Sequence, residues 1–122
     1  NIGPRRAVEL KREKGIVATG ADYELSTIMV PFLDAILNEV KKAQFNYHNQ
    51  FPSAAKSERV ILSGGGSNLT GIDAYFKKEL EIPVVKASPF AKFEYPPIIE
   101  PVVNELNPVF SVALGLVLRE FV

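Results

Sequence analysis

Val60-Ile61-Leu62-Ser63-Gly64-Gly65-Gly66-Ser67-Asn68-Leu69-Thr70-Gly71 is the part of this sequence that organises the rest. Arg59 to Ser63 is a short apolar run rich in β-branched residues, and it stops at three glycines. Such a run, bounded by turn residues, reads as a buried strand. Leu69, Ile72, Tyr75, Phe76 and Leu80 then recur at helical spacing. Pro83-Val84-Val85-Lys86-Ala87 reads as a second strand. Strand, helix and strand in this order predict a right-handed βαβ unit with parallel strands. The fold class is therefore α/β.

The glycine run sits between strand and helix. Glycines there let a ligand approach the backbone, and free N–H groups at a helix start attract anions or polar ligand edges. It is not a phosphate-binding Walker loop: Gly66 and Gly71 have that spacing, but Ile72 stands where lysine is required. It is not a dinucleotide fingerprint either, because Leu69 takes the place of the third glycine. A tight strand-to-helix turn without a ligand is the plain alternative.

Outward from this unit, residues 25 to 50 form the longest periodic pattern. Leu25, Met29, Phe32, Leu33, Ile36, Leu37, Val40, Ala43 and Tyr47 mark one face of a long amphipathic helix. Ser26 or Thr27 is the expected cap, and Pro31 predicts a kink or a late start. Pro4 to Lys14 reads as a helix with a thin apolar face, stopped by Gly15, and residues 15 to 23 read as a loop. Ser88 to Pro108 carries five prolines and reads as an extended connection, with one helical turn near Val102 to Leu106. Val109 to Phe121 is almost wholly apolar until Arg119 and reads as a buried terminal helix. Gly115 inside it predicts close packing against a neighbour.

Composition narrows the function classes. The 122 residues carry 14 Lys+Arg and 14 Asp+Glu, so no net charge draws the chain to nucleic acid or an anionic membrane. An apolar share of 47% argues against disorder. The absence of cysteine excludes a disulfide scaffold and thiolate metal sites, and fits an intracellular protein. No run reaches the roughly 20 apolar residues of a membrane span. The start, Asn1-Ile2-Gly3-Pro4, lacks an initiating Met and a signal peptide, so the expectation is a chain that begins inside a longer protein.

Other residues offer less. His48 is the only histidine, and no metal-ligand set surrounds it. Asp34, Glu39, Asp73 and Glu79 lie on helix faces among lysines and read as surface charges. Phe45, Tyr47, Phe51, Phe90, Phe93 and Tyr95 have no basic interleave, so they read as core or a partner groove rather than a nucleic-acid stacking platform.

Three segments together resemble one family. Val60 to Ile72 resembles the second-lobe nucleotide loop of actin-like ATPases. Ala87-Ser88-Pro89-Phe90-Ala91-Lys92 and Pro108-Val109-Phe110-Ser111-Val112-Ala113-Leu114-Gly115-Leu116 resemble the type IV pilus assembly protein PilM family, whose relative FtsA has a similar ending. Ala7 to Lys11 is similar to the family's Ala-Glu-x-x-Lys helix over the nucleoside. The resemblance implies an actin-like, ribonuclease-H-type fold, with this chain as the C-terminal portion: one domain or lobe over residues 1–122. It implies ATP or ADP with Mg²⁺ in the intact protein. It also implies a place on the cytoplasmic face of the inner membrane, a PilN-like membrane partner met mainly by the other lobe, and scope for self-association.

Carried over by position, Gly64, Gly65, Gly66 and Ser67 line the adenosine side, with Asn68 beside them, and Lys11 matches the helix lysine. Val8 falls where the family has a ribose-contacting Glu, and a valine accepts no hydrogen bond from a hydroxyl. Actin-like ATPases hold phosphate and metal with Asp-x-Gly turns. Here Asp22, Asp34 and Asp73 are followed by Tyr23-Glu24, Ala35-Ile36 and Ala74-Tyr75, so no such turn exists. Phosphoryl transfer needs positioned metal and charge. No catalytic or metal-ligating residue is therefore assigned, and this chain alone is not expected to hydrolyse ATP. Two expectations follow: a nucleotide-binding lobe of a pilus or related secretion assembly protein, or an interaction scaffold that keeps the fold without the nucleotide; an FtsA-like cell-division protein fragment is a further alternative.

Overall fold

The computed structural model describes residues 3–14 and 23–121, with side chains for 3–9 and 28–121. Helix α1 (Pro4–Lys14) is followed by α2 (Tyr23–Gln50), strand β1 (Val60–Leu62) and a 3₁₀ turn, Gly65–Asn68. Helix α3 (Ile72–Leu80) and strand β2 (Val84–Lys86) complete the strand–helix–strand unit. Two further 3₁₀ turns, Pro89–Lys92 and Pro97–Val102, lead to α4 (Val103–Val109) and α5 (Ser111–Arg119). The Val60 N–H donates to the Pro83 carbonyl at 2.9 Å and the Ala87 N–H to the Leu62 carbonyl at 2.8 Å, so β1 and β2 pair in parallel. The mixed α/β reading of the sequence holds.

The chain divides into two compact units: Asn1–Val60 with Leu69–Val84, and Ile61–Asn68 with Val85–Val122. In the first, α2 packs against α3. Leu33, Leu37, Leu69, Ile72 and Phe76 are its buried apolar residues, Leu37 and Phe76 being only 2% exposed. A polar tie reinforces this packing: the Tyr75 hydroxyl donates to Asp34 Oδ1 at 2.5 Å. That bond, with some burial and the negative charge of Asp34 and Glu79, pushes the Tyr75 pKa up to about 12. Gly71 turns into α3 at φ 85°, and Glu81 closes it at φ 57° with its N–H on the Lys77 carbonyl.

In the second unit, α4 packs against all three 3₁₀ turns, and α5 packs against Pro89–Lys92. Ser67, Val103, Asn107 and Pro108 are buried there. The Phe90 ring lies edge-on to Tyr95 and Phe110, with centroids 5.8 and 6.0 Å away.

Several expectations change. Helix α2 begins at Tyr23, so Ser26 and Thr27 lie inside it and Pro31 does not delay its start. Leu33 and Leu37 face α3 while Phe32, on the same apolar pattern, is 71% exposed, because α3 covers only one side of the stripe. The proline-rich segment is mostly 3₁₀ and α rather than extended: Pro89, Pro97 and Pro101 sit in helical turns, where a fixed φ near −65° fits. The terminal helix forms, but it is not buried. Val112 is 74% exposed, and a Cβ on Gly115 would meet nothing within 4 Å. The Pro89–Lys92 turn and α4 pack on α5, but none of its residues becomes buried. Asp34 is a hydrogen-bonded, half-buried carboxylate rather than a free surface charge. The loop read over residues 15 to 22 and its stop at Gly15 lie outside the described residues.

Phe76→Ala should destabilise the chain by about 3–5 kcal/mol in urea unfolding, because it opens a cavity in the α2–α3 packing. Tyr75 supplies a pH signature. The native phenol keeps its proton up to about 12, whereas the unfolded one releases it near pH ~10. The native state therefore binds more protons in that window, so its contribution is complete below pH ~10 and is lost as pH rises through the native value. Tyr75→Phe should remove this alkaline loss, so wild type and variant should converge in urea midpoint between about pH 10 and 12.

Candidate functional site

The three glycines open directly after β1. Gly64 adopts φ 89°, a left-handed conformation that a Cβ disfavours. Its N–H donates to the Pro108 carbonyl of α4 at 2.7 Å, and its carbonyl accepts both the Ser67 N–H (3.1 Å) and the Ser67 hydroxyl (2.6 Å). These bonds close the turn on itself. A buried hydroxyl needs a partner, and Ser67 finds one inside the turn.

Gly65 and Gly66 have a different character. Both are exposed, and a Cβ built on either meets nothing within 4 Å. Among the described residues, no acceptor meets their N–H groups. The turn therefore offers open space and two free backbone donors after a strand. That is the arrangement that receives a polar ligand edge or an anion.

Asn68 is tied to α4. Its side-chain amide donates to the Glu105 carbonyl at 2.8 Å, which anchors the end of the turn to α4. The side chains of Ser67 and Asn68 thus hold the turn in shape, while Gly65 and Gly66 present it. The Lys11 side chain lies outside the described residues. Val8 is 56% exposed on α1, and its neighbour Glu9 pairs with Arg6 at 3.2 Å.

The sequence reading missed Asn107 and Pro108. Pro108 is fully buried, and Asn107 Oδ1 accepts the Phe90 N–H at 3.0 Å. The signal was an Asn-Pro pair at the head of an apolar run, since a polar residue in such a place needs a hydrogen-bond partner. No group of three His, Asp or Glu side chains suited to a metal ion occurs among the described residues.

The sequence profile described as type IV pilus assembly protein PilM matches residues 5–121. Among solved structures, the chain is similar to a protein described as "PilM-PilN type IV pilus biogenesis complex", with a TM-score of 0.77 and 26% identity. The similarity covers 98% of this chain and 32% of that one, so this chain spans about a third of that length. The comparison with curated proteins gives no match.

The glycines should respond unequally to alanine. Gly64→Ala should lower stability by roughly 1–2 kcal/mol through its left-handed backbone. Gly65→Ala and Gly66→Ala should stay within about 0.5 kcal/mol of wild type. Urea unfolding of the three variants measures this directly.

Proposed function

Because this chain belongs to the type IV pilus assembly protein PilM family, we propose that it is the nucleotide-binding lobe of a pilus assembly protein. In this reading it takes ATP or ADP on the adenosine side and has an actin-like, ribonuclease-H-type fold. The observation that carries the reading is the open turn at Gly65 and Gly66, with two free N–H donors held between β1 and α4. Backbone donors recognise a polar edge of base or sugar without needing a charged side chain. The turn fits that half of a nucleotide.

Phosphate and Mg²⁺ are not assigned to these residues, and neither is hydrolysis. The described residues offer no grouped carboxylates for a metal, and none of the aspartates begins an Asp-x-Gly turn. Positioned charge and metal for phosphoryl transfer would come from other parts of the intact protein.

The partner in this proposal is a PilN-like inner-membrane protein, as in the similar complex. The protein itself would lie on the cytoplasmic side as a peripheral component. No single helix among the described residues is long and apolar enough to cross a membrane, which leaves peripheral docking open to it.

A scaffold without nucleotide is the second reading. Val8 favours it, because a valine gives a ribose no acceptor. One titration separates the two. ADP and ATP, with and without Mg²⁺, should shift the amides of Gly64 to Thr70 in NMR spectra, and Gly65→Glu should abolish the shifts by bulk and charge. No shift at saturating nucleotide in the intact protein, or a Gly65→Glu variant that binds as wild type does, overturns the nucleotide reading.

A further inference from the structure

The break between α4 and α5 is where the glycine turn is held. A helix end leaves its last carbonyls without intrahelical partners. At this end, the Leu106 carbonyl takes the Phe110 N–H at 2.9 Å, and the Asn107 carbonyl takes the Ser111 hydroxyl at 3.2 Å. The Pro108 carbonyl takes the Ser111 hydroxyl at 3.1 Å and the Gly64 N–H at 2.7 Å. One turn earlier, the Glu105 carbonyl takes the Asn68 amide at 2.8 Å. Both ends of the glycine turn thus hang on carbonyls from the last two turns of one short helix.

What fixes that helix on its other side is Asn107. Its side chain is 9% exposed, and Oδ1 accepts the Phe90 N–H at 3.0 Å from the Pro89–Lys92 turn. Asn107 does not hydrogen-bond to the glycine turn, yet it lies between Glu105 and Pro108, whose carbonyls do. We propose that Asn107 is a positioning residue for the glycine turn. By seating α4 on the Phe90 N–H, it sets the places of the Glu105 and Pro108 carbonyls. Those carbonyls set the direction in which Gly65 and Gly66 present their N–H groups.

The bond uses only the acceptor half of the amide. Among the described residues, no acceptor meets Asn107 Nδ2. Aspartate, nearly the same shape and an acceptor at the same atom, therefore keeps the tie, and alanine removes it. The role in ligand affinity rests on the proposed nucleotide reading; the role in holding the turn does not.

Amide hydrogen exchange without nucleotide tests the tie on wild type, Asn107→Ala, Asn107→Gln and Asn107→Asp, with the Phe76 amide as the reference for general loosening. Asn107→Ala should speed exchange at Gly64 by about tenfold beyond any change at Phe76, and Asn107→Asp should restore it. Asn107→Gln displaces the acceptor by one methylene and is read in the same way if the alanine variant does not fold. Faster exchange at Phe90 alone, with Gly64 tracking Phe76, overturns the proposal. An ADP titration then follows the same variants. Affinity should fall about tenfold in Asn107→Ala and return in Asn107→Asp, since positioned donors lose their aim when the turn loosens. If Gly64 exchange changes as expected while wild type binds no ADP, the positioning role stands and the nucleotide reading falls.

Discussion

The Gly64 N–H donating to the Pro108 carbonyl is the bond on which the candidate site depends. It joins the residue that ends the first strand's extension to a helix more than forty positions later. Two backbone features make it possible. Gly64 reaches φ 89°, where a side chain would be strained, and this turns its N–H toward α4. The α4–α5 break at Phe110 leaves the Pro108 carbonyl outside a continuous helical ladder. Had the apolar run continued as one helix, that carbonyl would have faced the Val112 N–H instead. The helix break and the glycine turn are two halves of one arrangement.

The parallel pair β1–β2 and helix α3 were legible in the sequence because each carried its own local signal. Val60 and Ile61 are β-branched in an apolar run that stops at glycines, and Ile72 to Leu80 repeats at helical spacing. The glycine turn was legible as a site for the same reason. The division of labour inside it was not. Which of Gly64, Gly65, Gly66, Ser67 and Asn68 faces outward depends on α4, and no spacing rule carries contacts over that distance. The Tyr75–Asp34 tie was hidden for a related reason: a tyrosine on an apolar face and an aspartate among lysines each have an ordinary local reading.

Burial was the least legible property. Composition alone makes Val112, Leu116 and Phe121 core residues, and all three are exposed. Periodicity says that a face is apolar, but only a neighbouring element says that it is covered. In α2 the difference falls within a single stripe. Leu33 and Leu37 are buried where α2 packs on α3, while Phe32 and Ile36, one position earlier in each case, are exposed. The prolines misled in the opposite direction. A proline-rich segment reads as extended, but a fixed φ near −65° serves the start of a 3₁₀ turn equally well, as at Pro89 and Pro97.

The chemistry open to the turn follows from which of its groups are already paired. The Ser67 hydroxyl is closed on Gly64, the Asn68 amide on Glu105 and the Gly64 N–H on Pro108. What the backbone of the turn leaves for a ligand is the N–H groups of Gly65 and Gly66, with open space before them. Two neutral donors without a nearby lysine or arginine on the same turn suit a polar edge better than a polyphosphate, whose charge calls for cations. The sequence agrees, with Ile72 where a phosphate-binding loop would carry lysine. A site of this kind selects by shape and by acceptor placement rather than by charge. Its affinity therefore depends on how rigidly the two donors are aimed, and that rigidity comes from α4.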